Sequence, residues 1–151
     1  MLNRILDTRN ELSTTILRIA LGVVIFPHGM QKLFGWFGGF GFTGTMHFFT
    51  DTMGIPYVFA LLAVLAESLG SIGLITGLFT RICAFGVGTT IAVGALMVHL
   101  PNGFFMNWFG KQAGEGYEYH ILVVGMALTL LLTGGGRWSL DRLILNNSEK
   151  H

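Results

Sequence analysis

The stretch YVFALLAVLAESLGSIGLIT, residues 57–76, decides the fold class of this chain, because it holds a single ionisable side chain, Glu67. A helix needs about 20 mostly apolar residues to cross the hydrocarbon core of a bilayer. Three further stretches have this character, at about residues 14–33, 82–100 and 119–134, and the last is short. We therefore predict an all-α integral membrane protein, a bundle of four transmembrane helices that forms one domain over residues 1–151.

The composition of the 151 residues agrees with this prediction. Hydrophobic residues make up 52% and charged residues 11%, about half the charged share of an ordinary soluble domain. None of the four stretches alternates with period two, as the strands of a membrane barrel do. The net charge of +1 gives no indication of nucleic-acid binding. The one cysteine, Cys83, cannot form an internal disulfide or a C-x-x-C redox pair.

The distribution of basic residues predicts the orientation. Seven of the nine lie before or early in the first stretch, between the second and third stretches, or after the fourth: Arg4, Arg9, Arg18, Arg81, Arg137, Arg142 and Lys150. The other two, Lys32 and Lys111, lie near or in the remaining loops. The positive-inside rule then places both termini in the cytoplasm and the loops 34–56 and 101–118 outside. In the half of the bundle nearer the cytoplasm, we expect the side chains of Arg18, Arg81 and Asp141 to reach water.

Small residues form stripes at helical spacing on two of the stretches. The second stretch carries Ala60, Ala63, Glu67, Gly70 and Ser71 on one face, and the third carries Gly88, Ala92, Ala95 and His99. Small residues let helices approach closely in lipid, where water no longer drives their association. Both faces are therefore predicted to point into the bundle.

Three ionisable residues in the middle or outer half of the bundle are the candidate catalytic residues. His28 and Lys32 follow Pro27 at i and i+4 spacing, which places them on one helix face. An ionised Glu67 near the membrane centre costs at least ~2.5 kcal/mol, so we predict that it pairs with a group on the first or third helix. Each residue also has an interpretation without a catalytic role. Lys32 could extend its ammonium group to the membrane interface, His28 could be a hydrogen-bonded core residue, and Glu67 could belong to a purely structural pair.

A second set of polar and aromatic residues lies at the outer helix ends and in the outer loops. The candidate substrate- or quinone-binding residues are His99, Glu118, His120, Trp36 and Trp108. Each has a simpler interpretation, because tryptophans favour the membrane interface and a carboxylate suits a helix start. No two histidines share a helix at ligand spacing, so we predict no metal site. Residues 43–53 are predicted to form a short amphipathic helix in the first outer loop.

Four segments of the chain resemble the DoxX family of small bacterial membrane proteins: HGMQKLFG (28–35), AESLGSIGLITGLFTR (66–81), GYEYHIL (116–122) and GGGRWSLDRLI (134–144). The resemblance runs from about residue 17 to residue 144. It implies a four-helix bundle in the bacterial cytoplasmic membrane and a redox association, since relatives include a subunit of a thiosulfate:quinone oxidoreductase. It also implies that any functional site includes His28, Lys32 and Glu67, together with Glu118.

Three functional hypotheses follow. The first is a membrane subunit of a quinone-linked redox complex in sulfur metabolism or oxidative stress, with a quinone as cofactor and a soluble redox protein or sulfurtransferase as partner. The second is a membrane anchor or assembly protein without enzymatic activity. The third is a small transporter or proton pathway, which would require a homo-oligomer. The sequence contains no motif for a redox centre, so whether the chain alone is an enzyme stays open.

Overall fold

The computed structural model describes residues 5–148, and all regular secondary structure within that range is helical. This confirms the predicted all-α class. Six α-helices are defined within the described residues: α1 Leu12–Phe34, α2 Gly41–His47, α3 Tyr57–Thr76, α4 Thr80–Gly94, α5 Glu118–Thr133 and α6 Leu140–Ser148.

Three of these helical segments are long and apolar enough to cross a membrane. They are α1, α3 and the segment Thr80–Asn102, in which α4 continues through the π-helical turn Ala95–His99 and a short 3-10 turn. The fourth apolar helix, α5, has 16 residues and therefore spans about 24 Å at 1.5 Å per residue. That length is less than the roughly 30 Å of a bilayer core, as the shortness of the fourth apolar stretch predicted.

The four apolar helices pack side by side. α1 contacts α3, α3 contacts α4, α4 contacts α5, and α5 returns to contact α1. Fully buried aliphatic side chains fill the centre: Leu21, Ile25, Leu74, Val87, Val123 and Leu130. Many other large apolar side chains on the same helices point outward and are exposed, which is typical of a lipid-facing surface.

The two ends of this bundle differ in what they carry. Segments 35–56 and 103–117 lie at one end, which we call the loop end, and segments 5–11, 77–79 and 134–148 lie at the other, the terminus end. At the loop end, α2 and the π-helical turn Phe48–Thr52 form the short helical element predicted over residues 43–53. Met46 is buried against Ala60 and Val64 of α3, so this element is packed onto the bundle.

Glycines allow close approach at two helix contacts. A Cβ at Gly29 of α1 would clash with the backbone of Glu67 and Ser68 on α3, and one at Gly22 would lie 2.8 Å from Ile75. A Cβ at Gly88 of α4 would lie 2.8 Å from the Cβ of Ala127 on α5. As predicted, the small face of α3 points inward, with Ala60, Glu67, Gly70 and Ser71 buried; Ala63 is half-buried.

Arg18 lies at the terminus end and is the largest fully buried side chain among residues 5–148, with 1% exposure. The expectation that it reaches water was therefore wrong. Its guanidinium donates hydrogen bonds to the carbonyls of Leu74, Ile75 (2.7 Å) and Gly135 (2.8 Å). These carbonyls belong to the last turn of α3 and to the segment after α5, where free carbonyls and the negative ends of the helix dipoles favour a cation.

Asp141 is also buried at the terminus end, again contrary to the expectation that it reaches water. Its carboxylate accepts hydrogen bonds from the backbone N–H groups of Phe79 (2.6 Å) and Thr80 (2.9 Å). A carboxylate in this position satisfies free N–H groups at a helix start and interacts favourably with the helix dipole. The Asp141 side chain, at the start of α6, therefore caps the N-terminus of α4.

The side chain of Arg81, by contrast, is one-quarter exposed, in agreement with the prediction that it reaches water.

Replacement of Asp141 by alanine is expected to lower the free energy of unfolding by about 0.5–2 kcal/mol, the usual effect of losing a helix cap. Asp141→Asn keeps an acceptor oxygen and should recover part of this loss. Unfolding of the purified protein in mixed micelles measures both effects. An alanine variant as stable as the wild type would contradict a capping role for the carboxylate.

Candidate functional site

The most buried charge at the loop-end half of the bundle is Glu67, which forms an ion pair with Lys32. The Lys32 Nζ atom lies 2.6 Å from Glu67 Oε2, and the side chains are 24% and 5% exposed. The predicted pairing of Glu67 with a group on the first or third helix is thus confirmed, and the partner belongs to the first. A buried carboxylate without a partner is costly in an apolar environment, and the ammonium group supplies that partner.

The packing of α1 on α3 brings this pair together. Glu67 lies near the middle of α3, on the small face that contacts α1. Gly29 brings the α1 backbone against that of Glu67, and Lys32 follows one helical turn later. α1 ends directly afterwards, where Gly35 adopts a left-handed conformation (φ 74°) and donates its N–H to the carbonyl of Gln31. The lysine side chain therefore extends from the last turn of α1 back to α3.

Two further ionisable groups lie close to the ion pair. His28 is within electrostatic range of both Lys32 and Glu67, and its side chain lies on the exposed side of α1. Tyr119 of α5 is within electrostatic range of Glu67 from the opposite side of the bundle. Its hydroxyl is buried and has no hydrogen-bond partner in the structure. Tyr119 is not among the site residues predicted from the sequence, because a tyrosine at the start of an apolar helix is more simply interpreted as an anchor at the membrane interface.

His99 and His120 form a second polar cluster at the loop end, between α4 and α5. Their ring centroids lie 4.1 Å apart with an interplanar angle of 40°. The His99 Nδ1 atom lies 2.8 Å from the carbonyl oxygen of Glu115, which requires the proton of a neutral His99 to be on Nδ1. His120 is 8% exposed, and its Nδ1 atom is buried without a hydrogen-bond partner. Tyr119 links the two clusters, because its ring centroid is 5.5 Å from that of His120.

The remaining candidates lie in or next to the loops. Glu118 Oε1 accepts a hydrogen bond from the N–H of Met106 (3.0 Å) and contacts the indole N–H of Trp108 (3.4 Å). Glu118 therefore fixes the loop 103–117 to the start of α5. Trp108 is 79% exposed, and Trp36 is also exposed, with ring contacts to its neighbours Phe34 and Phe37. The structure thus brings Glu118 and Trp108 together and leaves Trp36 in the other loop.

This arrangement defines the chemistry that the side chains can perform. An ammonium group has three donors, and the ion pair uses one of them at Lys32, so the others can bind an acceptor oxygen. Glu67 and His28 can exchange protons with a group bound beside them. Within residues 5–148, no three His, Cys, Asp or Glu side chains lie close enough together to hold a metal ion.

Comparison with known proteins assigns the chain to a family. The DoxX family model matches residues 13–100, more than half of the sequence. The chain belongs to the DoxX family. The resemblance of its sequence segments to this family is thereby confirmed, and DoxX membership together with the long apolar helices establishes a membrane protein.

Two curated relatives align with this DoxX protein over 92% of their own length. One, from Bacillus subtilis (strain 168), bears the name "Putative oxidoreductase CatD" and is 27% identical over 139 residues, 92% of each chain. Another is the "Inner membrane protein YqjF" of Escherichia coli (strain K12), 29% identical over 128 residues, which are 82% of this chain and 92% of the relative. No solved structure gives a significant match to this DoxX chain.

Proposed function

We propose that this DoxX protein is the membrane subunit of a quinone-linked redox system in the bacterial cytoplasmic membrane. In this proposal α1, α3, the segment 80–102 and α5 cross the membrane. The terminus end faces the cytoplasm, and the loop end faces outward. The oxidoreductase name of one relative and the inner-membrane name of the other support the proposal.

The observation that carries the proposal is the Lys32–Glu67 ion pair. It places a proton donor and a proton acceptor 2.6 Å apart inside an apolar bundle, with part of the lysine side chain accessible. Ionisable side chains at membrane depth are costly and commonly mark pathways of protons, ions or substrates. The neighbouring His28 and Tyr119 add two more groups that can bind or transfer a proton.

The residues present fit a quinone, because the head group needs hydrogen-bond donors and the tail needs apolar surroundings. A bound quinone would supply two-electron chemistry coupled to protons. Lys32 and His28 would donate hydrogen bonds to a ring oxygen, and Glu67 would accept or deliver the accompanying proton. Tyr119, with its unpartnered buried hydroxyl, is a further donor toward the same region. The electrons would pass to or from a soluble redox or sulfurtransferase partner.

A second candidate function is a membrane anchor or assembly protein, and one observation favours it. Lys32 and Glu67 are bonded directly to each other, so the pair is satisfied without any ligand. Interhelical polar contacts of this kind hold membrane helices together. In this alternative the pair joins α1 to α3 and presents a stable bundle to a partner protein.

The quinone content of the purified protein distinguishes the two functions, because only the redox function requires a bound quinone. We expect stoichiometric quinone in an organic extract of the wild type in nanodiscs, measured by mass spectrometry, and its loss from Glu67→Gln. Glu11→Gln is the matched control, because Glu11 is exposed at the terminus end, and it should retain the quinone. Absence of quinone from all three proteins would contradict the redox function and favour the anchor.

A further inference from the structure

Within residues 5–148, three residues other than glycine have a left-handed backbone, and all three are exposed aromatic residues. They are Phe37 (φ 54°), Phe79 (φ 49°) and Trp138 (φ 61°), and they are 67%, 41% and 72% exposed. A positive φ is a rare and strained conformation for a bulky residue. Glycine adopts it without strain, as Gly77 does two residues before Phe79. An aromatic residue at such a position therefore requires a gain that offsets the strain.

Hydrogen bonds at the terminus end fix the backbone of two of these residues. The carboxylate of Asp141 accepts a hydrogen bond from the N–H of Phe79 (2.6 Å), and the N–H of Asp141 bonds to the carbonyl of Gly77 (2.9 Å). A Cβ on Gly77 would lie only 2.6 Å from the Cβ of Ser139, the residue after Trp138. The turn 77–79 and the segment that holds Trp138 are thus packed against each other at the same end of the bundle. Most of the Trp138 surface nevertheless stays outside the protein.

The turn that contains Phe79 joins two helical segments that are long enough to cross a membrane. α3 ends at Thr76, and the segment Thr80–Asn102 begins directly after Phe79. The 20 residues of α3 span about 30 Å, which is roughly the thickness of the hydrocarbon core. The polar head-group layer adds roughly 5–7 Å on each side of that core. When α3 crosses the membrane, a residue three positions beyond its end therefore lies in the head-group layer.

The surroundings of this turn favour lipid as the material that covers the exposed rings. Ile72 on α3 and Ile82 on α4 are exposed, so the apolar outer surface of the membrane helices continues up to the turn from both sides. Arg137, next to Trp138, is also exposed, and a cation there suits negatively charged lipid head groups. The head-group layer attracts an indole because its apolar body is buried while its N–H stays hydrated.

We infer that Phe79 and Trp138 anchor the terminus end of the bundle in the head-group layer of the membrane, and that Phe37 anchors the loop end in the opposite layer. The burial of each ring in this layer offsets the strain of its left-handed backbone. Phe37 lies three residues beyond the end of α1, whose 23 residues span about 35 Å, so the same argument from length holds there. The inference rests on the proposed crossing of the membrane by α1 and α3, and it does not depend on a quinone.

Tryptophan fluorescence in lipid vesicles tests the depth of each anchor, because the chain has only three tryptophans. Trp36→Phe/Trp108→Phe leaves Trp138 as the only one. The vesicles contain phosphatidylcholine with bromine either near the head group or near the chain ends, and bromine quenches an indole at its own depth. We expect bromine near the head group to quench Trp138 about twofold more strongly than bromine near the chain ends. Phe79→Trp and Phe37→Trp, each in a chain whose three tryptophans are replaced by phenylalanine, should give the same result.

Leu69→Trp, in the chain without other tryptophans, is the matched reference for depth, because Leu69 is 58% exposed near the middle of α3. Bromine near the chain ends should quench this variant more strongly than bromine near the head group. If it does, quenching of Trp138 by aqueous iodide alone, or chiefly by bromine near the chain ends, would overturn the inference. Protection of Trp138 from iodide and from both lipids would also overturn it, since protein would then cover the ring.

The outcomes separate this inference from the redox function. Failure of bromine near the chain ends to quench Leu69→Trp would show that α3 does not cross the membrane, and it would overturn the anchors whatever the quinone content. The expected depths in a protein that carries no quinone would support the anchors and count against the redox function alone.

Discussion

Replacement of Arg18 by leucine is expected to lower the free energy of unfolding by about 2–5 kcal/mol. Three carbonyl groups, those of Leu74, Ile75 and Gly135, would lose the donor that joins α3 to the segment after α5. Hydrogen bonds between membrane helices contribute about 0.6 kcal/mol on average and up to roughly 1.7 kcal/mol each. The last-turn carbonyls of α3 would also lose the cation that their helix dipole favours.

Unfolding in mixed micelles, with expression in the membrane fraction as a second readout, measures this loss. Arg18→Lys keeps the charge but not the planar fork of donors, and it should recover only part of the stability. Arg9→Leu is the matched control, because it removes the same charge from the same end of the bundle but from a side chain that is 64% exposed. An Arg18→Leu variant as stable as Arg9→Leu would refute a structural role for the buried guanidinium.

The lengths and apolar character of the helices made much of the fold predictable from sequence. The 20-residue run at 57–76 forms one helix with the predicted bounds. The pairing of Glu67 was also predictable, because an isolated carboxylate in an apolar helix requires a partner and the sequence offers few. Lys32, at the end of the preceding apolar run, was one of those few.

The positions of other residues depend on contacts that a linear pattern does not contain. Arg18 lies only six residues from the start of α1, which made exposure to water the natural expectation. Its burial follows from the folding of the segment after α5 back over the end of α3, which brings Gly135 next to it. The tilted contact between the rings of His99 and His120 is likewise formed across two helices, and His99 ends a π-helical turn at Ala95–His99 that no sequence signal indicated.

The two ends of the bundle differ in how their buried charges are paired. At the terminus end, Arg18 and Asp141 bond to backbone groups of other segments, whereas at the loop-end half Glu67 bonds to the side chain of Lys32. Buried polar atoms without a hydrogen-bond partner occur at both ends, in Thr80 and Arg142 and in Tyr119 and His120. Such unsatisfied groups require an explanation such as a ligand or water, so they do not by themselves distinguish one end as a ligand site.

Replacement of Lys32 by methionine is expected to destabilise the protein by about 3 kcal/mol, because Glu67 would keep a buried carboxylate without its counterion. Removal of one partner from a buried pair costs about 3–5 kcal/mol, and the partial exposure of Lys32 favours the lower end of that range. The double variant Lys32→Met/Glu67→Met replaces both charges with apolar side chains and should recover most of the stability. The free energies of unfolding of the wild type, Lys32→Met, Glu67→Met and the double variant form a double-mutant cycle that isolates the energy of the pair.

The same four proteins distinguish a structural pair from a ligand site when their quinone content is measured alongside their stability. If Lys32 and Glu67 only join α1 to α3, the double variant regains both stability and every other property of the wild type. If they bind a quinone, the double variant is stable but carries none, since both the donor and the proton acceptor are gone. Retention of stoichiometric quinone by a stable double variant would therefore exclude the ion pair from the quinone site. The polar groups of that site would then have to come from elsewhere, with His99 and His120 as the remaining candidates.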